Sequence, residues 1–297
     1  MRVAVIDVGS NTARLLVAEV TTDGAVVELD QQGTHLGLGE ELVADGTLRT
    51  NTIAEAAEVA RRFAAHARQF AVARFETVVT APGRGASGQR LAGALAASTG
   101  WPTRVLSADD EGRLAYDGAV ARGFELPEVV AVVDVGGGSS EIVVGTPLLG
   151  AAWVRSLTTG SLHLTRLALD GDPPSRGALD AARDVVRRAL EGVQPPRPDL
   201  ALAAGGSARA AAKALGSTFD ADDLDELART ASRKRTRELA RAFDLRPSRA
   251  RTLAAGAIVL AESARLLGRP LELARGGLRE GTALALAAAA DAGAAAA

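Results

Sequence analysis

Cysteine is missing from this 297-residue chain, which removes disulfides, zinc–thiolate centres and thiol nucleophiles together. Histidine is scarce: His35, His66 and His163 are the only three, too scattered for a histidine-rich metal site. A charge excess of either sign is also lacking. With 34 basic residues against 36 acidic ones the molecule is no polycation, and no specific nucleic-acid partner is expected. No apolar run approaches the roughly 20 residues of a membrane span. The N-terminus enters a strand pattern at once and carries Asp7 within it, unlike a signal peptide. These absences lead to the expectation of a cytoplasmic protein with no membrane attachment.

Apolar residues, by contrast, are plentiful. They make up 47% of the chain, enough for a sizeable core, and the length suits one large domain or two ordinary ones. Two stretches interrupt an apolar run with glycine and small polar residues: VAVIDVGSNTARLL (3–16) and VAVVDVGGGSSEIVVG (130–145). Aligning Asp7 with Asp134 repeats V-A-V-[IV]-D-V-G at an offset of 127 residues. Each copy opens a similar pattern. Strands at 3–8, 13–20 and 25–32 lead to a helix at 50–73, a strand at 74–80, a helix at 89–99, a strand at 103–107 and a helix at 109–123. Strands at 129–135, 140–145 and 150–157 lead to a helix at 179–193, a strand at 200–205 and then helices, the last at 277–292. The spacing predicts an α/β protein of two duplicated domains, 1–125 and 126–297, with a cleft between them and a boundary near 122–128, where Gly123 and Pro127 stand.

A glycine turn between two strands lets backbone N–H groups converge on one point and form an anion-binding concavity. Gly9, Ser10, Asn11 and Thr12 in the first turn, and Gly136, Gly137, Gly138, Ser139 and Ser140 in the second, supply such backbone groups and polar donors. Asp7 and Asp134, each ending a strand, would repel an anion but suit a divalent cation that bridges to phosphate oxygens. Two such turns facing each other would clamp one phosphate group. A lone D-V-G-S is usually only a tight hairpin; its duplication in equivalent contexts is what points to phosphate. No G-K-[ST] of a Walker loop is present, and a strand, not a helix, follows the glycines, so this is no Rossmann fingerprint.

These two motifs resemble the phosphate motifs of the exopolyphosphatase / guanosine pentaphosphate phosphohydrolase (Ppx/GppA) family, within the actin / Hsp70 / sugar-kinase superfamily. SADDEGRLAYDGA (107–119), TAPGRGASG (80–88), AAGGSARA (203–210) and GGLREG (276–281) match further family segments in order, so the resemblance covers essentially the whole chain. It implies two actin-like, ribonuclease-H-like domains. It implies a Mg2+-dependent or other divalent-cation-dependent phosphohydrolase that releases orthophosphate from the end of inorganic polyphosphate. Guanosine pentaphosphate is the alternative substrate. It also implies Glu111 as the catalytic carboxylate and places the family's arginine at Arg84, where it would offset phosphoryl charge; Glu141, by its place just past the second glycine turn, fits a residue that orients water or binds metal, or an ordinary exposed strand residue. Homodimers are implied too, since many members form them. Two departures stand out: His35 occupies a position where arginine is usual, and the C-terminal HD-type domain of longer members has no counterpart in this sequence, which therefore reads as a short form.

Read without the family, Glu111 beside Asp109 and Asp110 fits either a general base among mutually perturbing carboxylates or an ordinary acidic helix start. Arg84 after a Pro-Gly turn fits a phosphoryl contact or a surface arginine. Gly205, Gly206, Ser207 and Arg209 form a strand–glycine–helix junction that suits a nucleotide, the tail of a polyphosphate or mere close packing. Residues 229–251 hold nine basic side chains against Glu238 and Asp244. Among them Arg233, Lys234, Arg235, Arg237 and Arg241 mark either a polyanion track or a solvated helix face. A small-molecule kinase of the same superfamily would call for an Asp base where Glu111 stands. A nucleotide-dependent scaffold like actin or Hsp70 would call for large insertions, which 297 residues do not accommodate.

Overall fold

Strand β1 (Arg2–Val8) is apolar at consecutive positions because both of its faces are covered. The strand period of two sorts its side chains. Ala4, Ile6 and Val8 enter one cluster with residues of helices at 50–67 and 88–99, while Val3 and Val5 enter another with Leu114, Ala115, Leu278 and Ala283. The computed structural model of the protein describes residues 1–121 and 126–295, with side chains up to residue 290. The chain divides into two units, Met1–Phe124 with Gly276–Ala297, and Glu125–Arg275.

In the first unit β1 is followed by β2 (Thr12–Val20), β3 (Val26–His35), α1 (Leu38–Asp45), α2 (Thr50–Ala67), β4 (Arg74–Val79), α3 (Gly88–Thr99), β5 (Thr103–Val105) and α4 (Ala108–Val120). Its sheet runs β3-β2-β1-β4-β5, with β1–β4 and β4–β5 parallel. The second unit holds β6 (Val130–Val135), β7 (Ser140–Thr146), β8 (Gly150–Leu157), α5 (Ser161–Ala168), α6 (Arg176–Leu190), β9 (Leu200–Ala204), α7 (Gly205–Leu215), β10 (Thr218–Phe219), α8 (Ala221–Ala231), α9 (Thr236–Ala242), α10 (Pro247–Arg251), α11 (Leu253–Leu267) and β11 (Leu271–Leu273). Its sheet runs β10-β11-β9-β6-β7-β8. Apart from β10 at the edge, β8-β7-β6-β9-β11 repeats the order β3-β2-β1-β4-β5, so the repeated motif reports a duplicated α/β architecture.

Three expectations change. The helix expected over 50–73 ends at Ala67, because a tight turn over Arg68–Phe70 and left-handed Ala71 (φ 52°) release the chain into β4. The third strand runs on to His35, which pairs with Thr12 across the sheet. The final helix α12 (Leu278–Ala295), expected in a second domain spanning 126–297, packs with the first unit. The cause is an interface of small residues between α4 and α12. A methyl group on Gly118 would lie 1.9 Å from Gly277 O, and one on Gly281 would lie 1.8 Å from Leu114 O. Buried Arg279 adds a hydrogen bond from Nη1 to Leu15 O at 3.4 Å. The expected domain boundary falls largely outside the described residues. Among those described, no helix is long and apolar enough to cross a membrane.

Helix α1 is tied to α2 by one carboxylate. Buried Glu41 accepts from Thr52 Oγ1 at 2.6 Å, from the Arg49 N–H and from Arg49 Nε at 3.1 Å. The Thr52 hydroxyl foremost, then the Arg49 groups, hold its carboxyl down at about 2, against an ordinary 4.5. The pKa is depressed in the folded protein, so this contribution is full above about pH 4.5 and fades as pH falls toward 2. Glu41→Gln is therefore expected to lower the melting temperature at neutral pH. It should also flatten the acid limb of its pH profile between those values. A parallel shift of the whole profile would show that Glu41 is not a source of the acid sensitivity.

Candidate active site

The two glycine turns are built on one plan. In each, the first glycine N–H donates to a carbonyl three residues on: Gly9 to Thr12 O, and Gly136 to Ser139 O, both at 3.0 Å. A later segment then holds the turn's carbonyls. In the first unit Leu36 N (3.0 Å) and Gly37 N (3.2 Å) donate to Asn11 O, and Gly39 N donates to Ser10 O at 2.7 Å. In the second, Gly160 N donates to Gly138 O (3.3 Å), Leu162 N and His163 N to Gly137 O (2.9 and 3.0 Å), and Ser161 N to Gly136 O (2.8 Å). A trans peptide points its C=O and N–H in opposite directions. Holding these carbonyls therefore aims the N–H groups of Asn11 and Thr12, and of Gly137, Gly138 and Ser139, away from the holding segments. That is the arrangement of an anion-binding nest.

Close approach explains the glycine at Gly160: a methyl group there would sit 2.4 Å from the carbonyl carbon of Gly137. Ser10, Asn11, Ser139 and Ser140 are all buried in their turns. Ser140 Oγ donates to Thr159 O at 2.9 Å, so the proton of this expected phosphate donor is directed at the holding segment. Sequence reasoning missed both holding segments. Their signal was a glycine placed just before a short helix, Gly37 before α1 and Gly160 before α5.

Around the first turn, strand ends bring the catalytic candidates to one edge of the sheet. Val8 pairs with Val79, and Val79 with Val105, so the segments leaving β1, β4 and β5 emerge side by side. Thr80 N donates to Val8 O at 3.2 Å, which starts the turn carrying Arg84 beside Gly9. Gly83 and Gly88 pack against each other there; a methyl on Gly88 would lie 1.7 Å from Gly83 O. Glu111 lies in the first turn of α4, whose N-cap Ser107 accepts from Asp110 N at 3.0 Å. The buried Glu111 carboxylate takes a hydrogen bond from Arg84 Nη1 at 2.7 Å, and the same nitrogen donates to Leu106 O at 3.2 Å. An opposite charge, not acidic neighbours alone, thus defines the surroundings of Glu111. Arg84 is held by two acceptors, with its side chain 26% exposed.

The two aspartates face unlike neighbours. Asp7 is opposite Arg14 across β1–β2, and Asp134 is opposite Glu141 across β6–β7. Directly opposite residues of an antiparallel pair have Cβ atoms about 5 Å apart, so the second turn carries two neighbouring carboxylates where the first carries one with a guanidinium. Glu141 is 1% exposed and accepts from Ser156 Oγ at 2.9 Å. Among the described residues no three His, Asp or Glu side chains gather as a metal cage. One or two carboxylates fit Mg2+ well when phosphate oxygens and waters complete its octahedron. The donor set therefore suits a cation that arrives with a phosphorylated substrate, with Asp134 and Glu141 a better pair for it than Asp7. Of the expected basic track, Arg233 is paired with Glu226 at 3.4 Å, and Lys234, Arg235, Arg237 and Arg241 are exposed.

Residues 16–289 match the model of the Ppx/GppA phosphatase family. Exopolyphosphatase 2 of Mycobacterium tuberculosis is 29% identical over 291 residues, covering 90% of this chain and 91% of that one. Exopolyphosphatase 1 of Mycobacterium bovis is 28% identical over 307 residues, covering 96% and 88%. The crystal structure of the Aquifex aeolicus Ppx/GppA family member superposes with a TM-score of 0.81 at 26% identity, covering 96% of this chain and 97% of that one.

Proposed function

Because the chain belongs to the Ppx/GppA phosphatase family, we propose that it is an exopolyphosphatase, cleaving the terminal phosphoanhydride bond of inorganic polyphosphate. The observation that carries this reading is the Arg84–Glu111 pair at 2.7 Å, emerging at the sheet edge from which the first glycine turn also emerges. Glu111 takes a proton from water, the water oxygen forms a bond to the terminal phosphorus, and the bond from that phosphorus to the bridging oxygen breaks. Orthophosphate leaves, and the chain, one phosphate shorter, keeps the bridging oxygen and its negative charge. Arg84 offsets charge on the phosphoryl oxygens as it builds. The N–H groups of Asn11 and Thr12, aimed outward from the first turn, bind those oxygens. Asp134 and Glu141, with Asp7 as a further candidate, would hold a divalent cation, which when bound neutralises phosphate charge.

The test is orthophosphate release from polyphosphate, guanosine pentaphosphate and ATP, each with and without Mg2+. Polyphosphate is expected to be the best substrate, with release dependent on the divalent cation. Faster release from guanosine pentaphosphate would transfer the assignment to that substrate. Release from none of the three would reject a phosphoanhydride hydrolase.

A further inference from the structure

Three polar side chains stand in one row across the second sheet. Asp134 of β6 pairs with Glu141 of β7, and Glu141 pairs with Ser156 of β8. Directly opposite residues on neighbouring antiparallel strands project to the same face, so carboxylate, carboxylate and hydroxyl lie side by side. Like charges opposite each other repel, and the side chain of Glu141, with its several rotatable bonds, could relieve that repulsion by swinging away. It is held instead: Glu141 is 1% exposed, and its Oε1 accepts from the half-buried Ser156 Oγ at 2.9 Å. The corresponding row in the first unit is Asp7, Arg14 and Gly33. Gly33 offers Arg14 no side chain at all, and a methyl group there would only touch Arg14 Cγ, at 3.8 Å. The duplicated sheets thus place a hydroxyl at this position where the middle residue is a carboxylate, and none where it is a guanidinium. Strand propensity does not account for the serine, since threonine or valine would suit β8 better.

We propose that Ser156 is a positioning residue: its hydroxyl holds the Glu141 carboxylate beside Asp134, so that the two carboxylates take up a divalent cation together. The inference rests on the reading above that these two acids hold the cation. Ser156 itself touches neither cation nor substrate. A partner of this kind orients the group that holds the ion, and losing it costs about 10- to 100-fold in metal affinity.

Mn2+ alone, titrated into the full chain and followed by the loss of its electron paramagnetic resonance signal on binding, tests this; Mn2+ takes the same oxygen ligands as Mg2+. Ser156→Ala, which removes a single oxygen atom from an edge strand, is expected to raise the Kd for Mn2+ about 10-fold. Ser156→Thr keeps the hydroxyl and should bind Mn2+ nearly as the native protein does. Ser156→Val fills the same space as threonine without the hydroxyl and should lose affinity as the alanine variant does. A merely structural role would move threonine and valine together, and thermal melts check that each variant is folded. In a Glu141→Gln background Mn2+ binding should already be weakened, and Ser156→Ala should cost nothing more. Native affinity in Ser156→Ala, equal losses in the threonine and valine variants, or a further loss on top of Glu141→Gln would each overturn the role of Ser156. A native protein that binds no Mn2+, or whose binding Glu141→Gln leaves unchanged, would do so too, by removing the ion from Glu141. Hydroxyl-dependent Mn2+ binding by a protein that releases no orthophosphate from polyphosphate would leave the positioning role standing and overturn the exopolyphosphatase reading.

Discussion

Glu111→Gln is expected to lower kcat for orthophosphate release by about 10²–10⁴-fold, the usual contribution of a general base. The melting temperature and the affinity for polyphosphate should stay near wild type. The glutamine carboxamide has nearly the same shape, and its oxygen can still accept from Arg84 Nη1, which sits 2.7 Å from the native carboxylate. What it cannot do is take a proton from water. Initial rates, thermal melts and calorimetry on one preparation separate the two roles. A folded variant turning over at the wild-type rate would remove Glu111 from the proton transfer. A variant that loses rate and stability together would make Glu111 an anchor for Arg84 instead.

Gly281→Ala is expected to destabilise the first unit severely. Its carbon would have to occupy a point 1.8 Å from Leu114 O and 2.8 Å from the Leu114 carbonyl carbon, both backbone atoms with no rotamer to yield. Overpacking of this kind costs about 1–3 kcal/mol and occasionally more, and a contact with backbone belongs at the upper end. At roughly 2–4 °C per kcal/mol, the first unit should melt several degrees lower. Leu114 lies one turn beyond Glu111 on α4, so any movement that makes room also shifts the catalytic carboxylate. Calorimetry should therefore show a lowered transition and kinetics a lowered kcat with KM less affected. An unchanged transition temperature would mean that α4 and α12 separate without cost.

The duplicated architecture was legible because strand patterns bounded by glycine are local: the D-V-G copies and their flanking apolar runs need no knowledge of distant residues. Glu111 and Arg84 were legible through motif resemblance, and their hydrogen bond gives the pairing a physical basis. The segments holding the turn carbonyls were not legible, because their work is done by backbone N–H groups at 36–39 and 160–163, which almost any residue supplies. A cluster of three arginines in the second unit was hidden in a different way. Arg209 and the pair Arg246 and Arg249 belong to helices separated by α8 and α9, and only packing of α10 on α7 brings them together. The destination of α12 was hidden too, since its alanine-rich surface has little periodicity; its contacts are decided by where Gly118 and Gly281 permit backbones to meet.

That last contact sets an order of events during synthesis. At about 5–20 residues per second, the first unit's strands leave the ribosome long before residues 276–297, which complete that unit, have been made. Until then Val3, Val5, Leu16 and Val78 lack the cover that Leu278, Ala283 and Ala287 provide. The intervening unit, continuous from Glu125 to Arg275, can close first. The nascent N-terminal sheet must wait with that face covered only in part, by Leu106, Leu114 and Ala115, and the final helix acts as the latch whose arrival ends the exposure.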